Sequence, residues 1–362
     1  MSNFSVGIVG LPNVGKSTLF NALLKQTLAL SANYPFATIE PNTGIAEVPD
    51  DRLAQLAPVV HTTTLKPATI EFIDIAGLVA GASKGEGLGN KFLAHIRETA
   101  LIAHVLRDFA DDSIIREGSV DRDADLAVIR TELQLADLAT LEKQSPPKGV
   151  NDTNLKKRWA LIELFRSHLE SGQMLNSLLA HHDGAVDLAK SLNLLTSKPE
   201  LFVLNVAEDE VNPSPEIIKN KAEKIGVNPD QVIIISAQIE SELSQLPLED
   251  QKQYLAELGL AHSGLERLAQ AAYQTLGLQS FLTAGELEVR AWTIPAGTTA
   301  PDAAAVIHTD FRDKFIKAQV INWQDFITLG GWKSAREQGK VRTEGRDYVM
   351  QEGDLVEFMI GN

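Results

Sequence analysis

The chain has 362 residues, of which 44% are hydrophobic and 22% charged, with a formal net charge of −15 and no cysteine. That length accommodates two or three domains with real cores, and the lack of cysteine excludes disulfides and thiolate metal sites. No apolar run reaches the roughly 18 residues of a membrane span, Met1 to Phe4 shows no secretory-leader pattern, and the acidic balance speaks against broad nucleic-acid binding while leaving room for a local basic face; a cytoplasmic protein with no membrane partner is expected.

Taken in chain order, Val6–Val9 predicts a strand, and Leu19, Phe20, Leu23 and Leu24 a helix. Between them runs Gly10-Leu-Pro-Asn-Val-Gly-Lys-Ser-Thr18. This is the G-x-x-x-x-G-K-[ST] phosphate loop, placed between strand and helix as its chemistry requires. Gly10 and Gly15 let backbone N–H groups point at phosphate oxygens, so Asn13, Val14, Gly15, Lys16, Ser17 and Thr18 are assigned to the nucleotide. Lys16 supplies a point charge to the β- and γ-phosphates, and the Ser17 hydroxyl is a Mg²⁺ ligand. Asn13 is a candidate ligand for a monovalent cation such as K⁺, or simply a turn-forming residue.

Tyr34-Pro-Phe-Ala-Thr-Ile-Glu-Pro-Asn42 follows, and its Thr38 is the candidate Mg²⁺-binding threonine of a first switch loop. Ile70–Asp74 reads as a strand ending on a carboxylate. Asp74-Ile-Ala-Gly77 is a D-x-x-G, in which Asp74 holds Mg²⁺ and the Gly77 N–H senses the γ-phosphate. Lys16, Thr38 and Gly77 form the expected catalytic set; Ser17, Thr38 and Asp74 form the metal set. Leu78 stands where many such hydrolases place a water-positioning glutamine, so either intrinsic hydrolysis is slow or another group, a partner or a monovalent cation places the attacking water. A glycine-rich loop runs to Gly89, and Phe92 to Ala103 reads as a helix.

Leu126, Ile129, Leu133, Leu135, Leu138 and Leu141 recur at helical spacing; Ser145-Pro-Pro-Lys-Gly149 breaks the pattern, and Leu155 to Leu169 resumes it. Residues 126–197 thus read as a helical insertion, either a projecting hairpin or helices packed on the main domain. Strands return at Leu201–Asn205 and Val232–Ser236. Asn205-Val-Ala-Glu208 sits where guanine-specific proteins carry N-K-x-D. Val206 replaces the lysine that stacks over the base, and Glu208 is one methylene longer than aspartate. A site built for guanine loses paired polar groups when altered in this way, which points to adenine. Ser236-Ala237 supplies the remaining base-side loop, and a helix around Leu265–Leu276 closes the first domain.

The expected architecture is therefore α/β, with a nucleotide-binding domain over residues 1–278 and a strand-rich unit over 279–362 containing Leu287–Trp292 and Asp354–Phe358. Between Arg312 and Arg346, eight basic residues face four acidic ones, with Trp323 and Trp332 nearby. This is either an RNA-facing patch or a solvated face over core tryptophans. The eight histidines show no metal spacing.

These motifs, together with Ala296 to Phe311 and Glu344-Gly-Arg-Asp-Tyr348, closely resemble the YchF family of Obg-related ATPases over nearly the whole chain. The resemblance implies a P-loop NTPase (G domain) with an inserted helical hairpin and a C-terminal β-grasp (TGS) domain. It also implies Mg²⁺-dependent hydrolysis of ATP in preference to GTP, and association with the ribosome or rRNA. The family's leucine after D-x-x-G is matched by Leu78. Two departures stand out. Arg107-Asp-Phe109 replaces the family's common Arg-Cys-Phe, and Arg116 falls where the family commonly has a histidine linked to hydrolysis. A guanidinium cannot act as a base, so Arg116 bears on the hydrolysis rate and not on nucleotide binding. Rival readings are a nucleotide-gated binder with little hydrolysis and a GTP-driven translation factor.

Overall fold

The computed structural model describes residues 4–31, 42–75, 88–109, 122–147 and 152–361. In chain order the elements begin with β1 (Val6–Val9), α1 (Lys16–Ser31), β2 (Thr43–Glu47), α2 (Asp51–Leu56), β3 (Leu65–Lys66), β4 (Thr69–Asp74), α3 (Leu88–Glu98) and β5 (Leu101–Arg107). They continue with α4 (Arg122–Glu142), α5 (Thr153–Glu170), α6 (Ala185–Ser191), β6 (Glu200–Asn205), α7 (Pro215–Ile225), β7 (Val232–Ile235), α8 (Ala237–Leu243), α9 (Leu248–Glu257) and α10 (Gly264–Thr275). The remainder is β8 (Leu278–Ala284), β9 (Val289–Pro295), α11 (Ala300–Ile307), α12 (Phe311–Lys314), β10 (Phe315–Asn322), α13 (Trp323–Leu329), α14 (Trp332–Glu337), β11 (Arg342–Glu344) and β12 (Asp354–Ile360).

The chain forms two compact units, Met1–Ile45 with Glu71–Leu268, and Ala46–Ile70 with Ala269–Asn362. The linear division at 278/279 expected from sequence therefore differs from the compact units. Residues 46–70 cluster with the C-terminal part, because β3 pairs with β9 (Leu65↔Val289, Lys66↔Arg290) and Lys66 bonds Glu288 at 2.9 Å.

The first unit carries a sheet in the order β2-β4-β1-β5-β6-β7, and the pairs β4–β1, β1–β5, β5–β6 and β6–β7 are all parallel. Strands β1, β5, β6 and β7 are buried along their whole length. This explains their near-continuous apolar runs, since a parallel sheet is covered on both faces. The helix expected over Phe92–Ala103 is corrected here. Helix α3 stops at Glu98, and Leu101–Arg107 is a central strand. A fully buried strand has no alternation to separate it from a buried helix face.

Of the inserted helices, α4 packs on the sheet core and the second half of α5 packs on the end of α4, while residues 153–158 at the start of α5 are exposed. In α4, Ile129, Leu133 and Ala136 join the core of Val9, Ile75, Phe92 and Ile102. Its last turn, with Leu138 and Leu141, packs with Ile162, Phe165 and Leu169 of α5. Asp152 caps α5, accepting the Asn154 N–H at 2.7 Å, just after the proline-rich break.

The second unit is a mixed sheet ordered β11-β10-β12-β8-β9-β3. β12 and β8 form a parallel pair, each flanked by an antiparallel neighbour. Helix α11 buries Ala300, Ala303 and Ala304 against Phe281, Ile294 and Phe315. Trp323 and Trp332 are half-buried, and Trp332 meets Phe326 edge-on at 5.3 Å.

Candidate functional site

The carboxyl ends of β1, β4, β5, β6 and β7 gather the chemistry, as expected of an open parallel sheet. Strand β1 leads into the loop Gly10–Gly15, and α1 starts at Lys16. Asn13 sits at φ 66°, in the left-handed region that asparagine tolerates, so the turn alone accounts for this residue type. Gly15 is at φ 93°, and its N-terminal neighbour Val14 is buried. Ser17 and Thr18 are exposed at the start of α1. The Lys16 ammonium is buried and donates to Asp74 Oδ1, so the phosphate loop and the end of β4 are joined by an ion pair. Thr38, Gly77, Leu78 and Arg116 lie outside the described residues.

The base-side elements are tied to the phosphate loop by one side chain. Asn205, at the end of β6, donates from Nδ2 to the Val14 carbonyl at 2.9 Å. Its Oδ1 accepts the Ala237 N–H, also at 2.9 Å. Ser236 caps α8. Three segments far apart in sequence are thus fixed by a single buried amide, which uses a donor and an acceptor together. Val206 is 2% exposed and packs with Leu106, Phe202 and Leu204, so its side chain belongs to the core as well as to the pocket wall. Glu208 is exposed at the start of a short 3₁₀ turn.

A cavity of about 970 Å³ opens here, lined by Asn13, Gly15, Thr18, Asn205, Val206, Glu208, Ser236 and Ala237. Sequence reasoning missed the rest of its wall. Phe109 follows β5, with the Arg107 guanidinium 4.5 Å from its ring centroid. Gln238, Ser241, Glu242 and Gln245 form one helical face from the base-side loop. Their i, i+3, i+4, i+7 spacing directly after Ser236-Ala237 is the signal that could have found them. Beside the pocket, Asp108 pairs with Arg122 at 2.7 Å and with Lys221. His104 plays a structural part: it is fully buried, stacks on Phe202 and bonds Glu200 at 2.7 Å.

The comparisons agree with this geometry. A family model described as 50S ribosome-binding GTPase matches residues 5–134. Another, for the YchF GTPase C-terminal region and described as a protein of unknown function, matches residues 278–361. A relative from Escherichia coli O157:H7 is 48% identical over 98% of this chain and 99% of its own length. One from Bacillus subtilis is 47% identical over 98% of each. The chain belongs to the YchF family. Both relatives carry the name "Ribosome-binding ATPase YchF". The solved structure of the Schizosaccharomyces pombe YchF GTPase matches with a TM-score of 0.84 and 36% identity, covering 99% of this chain and 98% of that one.

The basic stretch of this YchF-family chain is partly neutralised from within. Arg312 pairs with Asp302, Arg336 with Glu357, and Arg342 with Glu344 at 3.1 Å. Arg346 donates to the Phe315 and Arg312 carbonyls. Lys314, Lys333 and Lys340 remain exposed. Among the described residues no helix is long and apolar enough to cross a membrane, and no cluster of three or more His, Asp or Glu could hold a metal.

Proposed function

We propose that this chain is a Mg²⁺-dependent ATPase that favours ATP over GTP and binds the ribosome in a nucleotide-controlled way. The observation that carries the proposal is the Asn205 junction. It fixes a base site in which the position of the stacking lysine is a buried valine and the position of the guanine-reading aspartate is an exposed glutamate. The names of the relatives support ATP hydrolysis and ribosome binding.

In this reading the backbone of Gly15–Thr18 and the Lys16 ammonium take the phosphates. The hydroxyl of Ser17 and the carboxylate of Asp74 are hard oxygen donors suited to Mg²⁺, with Thr38 as the third ligand. The metal would neutralise charge on the β- and γ-phosphates. Lys16 is bonded to Asp74, and the D-x-x-G leads on to Gly77; this gives the γ-phosphate a route to the second switch loop. Asn13 is the proposed K⁺ ligand, and the C-terminal unit is proposed as a TGS domain whose exposed lysines meet the ribosome or rRNA.

Calorimetric titration of nucleotide-free protein with ATP and with GTP, each with Mg²⁺, tests the proposal. At least tenfold tighter ATP binding, about 1.4 kcal/mol, is expected. Equal or tighter GTP binding would overturn it in favour of a GTP-driven factor. Lys16→Ala should abolish the heat signal, single-turnover hydrolysis measures the chemical step, and repeating it in K⁺ and in Na⁺ tests the role of Asn13.

A further inference from the structure

Helix α8 forms the pocket wall, and its first residue carries the N–H that meets Asn205. Besides the core packing of Ile239 and Leu243, a buried carboxyl group ties down the opposite side of α8. Glu240 is 2% exposed. Its Oε1 accepts the Gly264 N–H at 2.6 Å and its Oε2 accepts the Leu265 N–H at 3.4 Å, at the start of the twelve-residue helix α10. An ionised carboxylate there is favoured by charge-assisted bonds and by the helix dipole.

The fit leaves no slack. A Cβ on Gly264 would stand 2.9 Å from Glu240 Oε1 and 2.9 Å from the Ile235 side chain, so glycine is what lets α10 reach the carboxylate. Arg267 and Glu266, both on α10, are the charged groups acting on Glu240 among the described residues. The Arg267 guanidinium donates to the Ile234 carbonyl at 2.9 Å, and its buried Nε has no partner. A continuous chain of contacts therefore runs from the phosphate loop through Val14, Asn205 and Ala237 into α8, and from Glu240 into α10.

We infer that Glu240 is the positioning residue of the base site: its ionised carboxylate, anchored on Gly264 and Leu265, sets where α8 presents Ala237 to Asn205 and Gln238 and Glu242 to the pocket. The inference rests on the nucleotide-site reading above. Nucleotide affinity then depends on the charge of a side chain that never touches nucleotide. Burial pushes the Glu240 carboxyl up to about 7, against the pull of the two amides and Arg267. Protonation near neutrality thus loosens the anchor, and proton release and nucleotide binding favour each other.

The test compares Kd for ATP with Mg²⁺ in full-length wild type and Glu240→Gln at pH 8 and pH 6. At pH 8 the variant should bind about fivefold more weakly, having lost a charge-assisted pair. Towards pH 6 the wild type should approach the variant as its Glu240 carboxylate takes up a proton; the ratio of the two Kd values cancels the ligand's own titration. Glu266→Gln is the control. Glu266 caps the same helix locally, accepting the Ser263 N–H at 2.8 Å, and its charge raises the Glu240 carboxyl; at pH 8, where Glu240 is ionised in both proteins, this variant should therefore lower the melting temperature and leave Kd alone. Equal Kd values for wild type and Glu240→Gln at both pH values, with only a stability loss, would overturn the inference. So would an equal Kd change at pH 8 in Glu266→Gln. A wild type that binds no nucleotide would instead overturn the site itself.

Discussion

A methyl group on Gly15 would lie 2.1 Å from the Asn205 side-chain nitrogen. No heavy atom tolerates that approach, and Asn205 is held on both sides by Val14 and Ala237. The glycine of the phosphate loop is therefore also the space into which the base-side asparagine fits. Gly15→Ala combines this clash with a φ of 93° that L-residues rarely adopt. We expect a folded protein with nucleotide affinity lowered at least tenfold, read by titration calorimetry with circular dichroism as the check on folding.

Asn205→Ala leaves the Val14 carbonyl and the Ala237 N–H without their buried partner. Each unsatisfied group costs about 1–3 kcal/mol. The variant should lose about 2–4 kcal/mol of stability in urea unfolding and bind ATP more weakly than wild type even where both are fully folded. Asn205→Asp should lose more than stability alone, because a carboxylate cannot donate to Val14.

The acid limb of the stability curve should carry the signature of Glu200. This carboxylate is 2% exposed, bonded to His104 at 2.7 Å and to Arg130 at 2.9 Å. Burial pushes it up, yet His104 and Arg130 outweigh burial and hold it down at about 2. A carboxyl lowered on folding contributes stability that is present above its ordinary range near 4.5 and is lost as pH falls towards 2. The shift corresponds to about 3 kcal/mol. Glu200→Gln should be less stable at pH 7 and show a flatter stability profile between pH 4.5 and pH 2. Chemical unfolding at a series of pH values reads both effects.

In the second unit, Arg52 of α2 joins two parts of the chain distant in sequence. It bonds Asp50 at 2.7 Å and Glu352 at 2.5 Å, while Glu352 Oε2 accepts the Ser280 N–H at 2.7 Å. Arg52→Ala leaves the nearly buried Asp50 uncompensated, a loss of about 1–2 kcal/mol. Faster hydrogen exchange should appear in β8 and β9 with little change in β1 or β5. Uniform acceleration everywhere would mean that the two units unfold together.

Much of the candidate site was legible because its sequence pattern is local. Gly10 to Thr18 and Asp74 announce themselves within a few residues, and Asn205 sits at the end of an unmistakable apolar run. The pocket's far wall was not: the helical spacing of Gln238, Ser241, Glu242 and Gln245 is visible in the sequence, but that this face lines a cavity shows only once β6 and β7 are adjacent. Residues 101–103, the start of β5, were assigned to the preceding helix because double-sided burial removes the period-two pattern. The inserted helices were seen, but whether α4 projects or packs depends on partners such as Ile102 and Phe92, which spacing cannot supply. Strands β8 and β10 and the short β3 escaped because a mixed sheet draws its pairs from distant segments, and a two-residue strand has no pattern of its own.

The membership of residues 46–70 in the second unit has a consequence for biosynthesis. Strand β3 and helix α2 are made early, yet the partners that complete their sheet, β8 to β12, are made last. Until those strands are made this excursion has no complete sheet to join, while its two ends run into β2 and β4 of the first sheet. Tethering both ends lowers the entropy cost of the later docking.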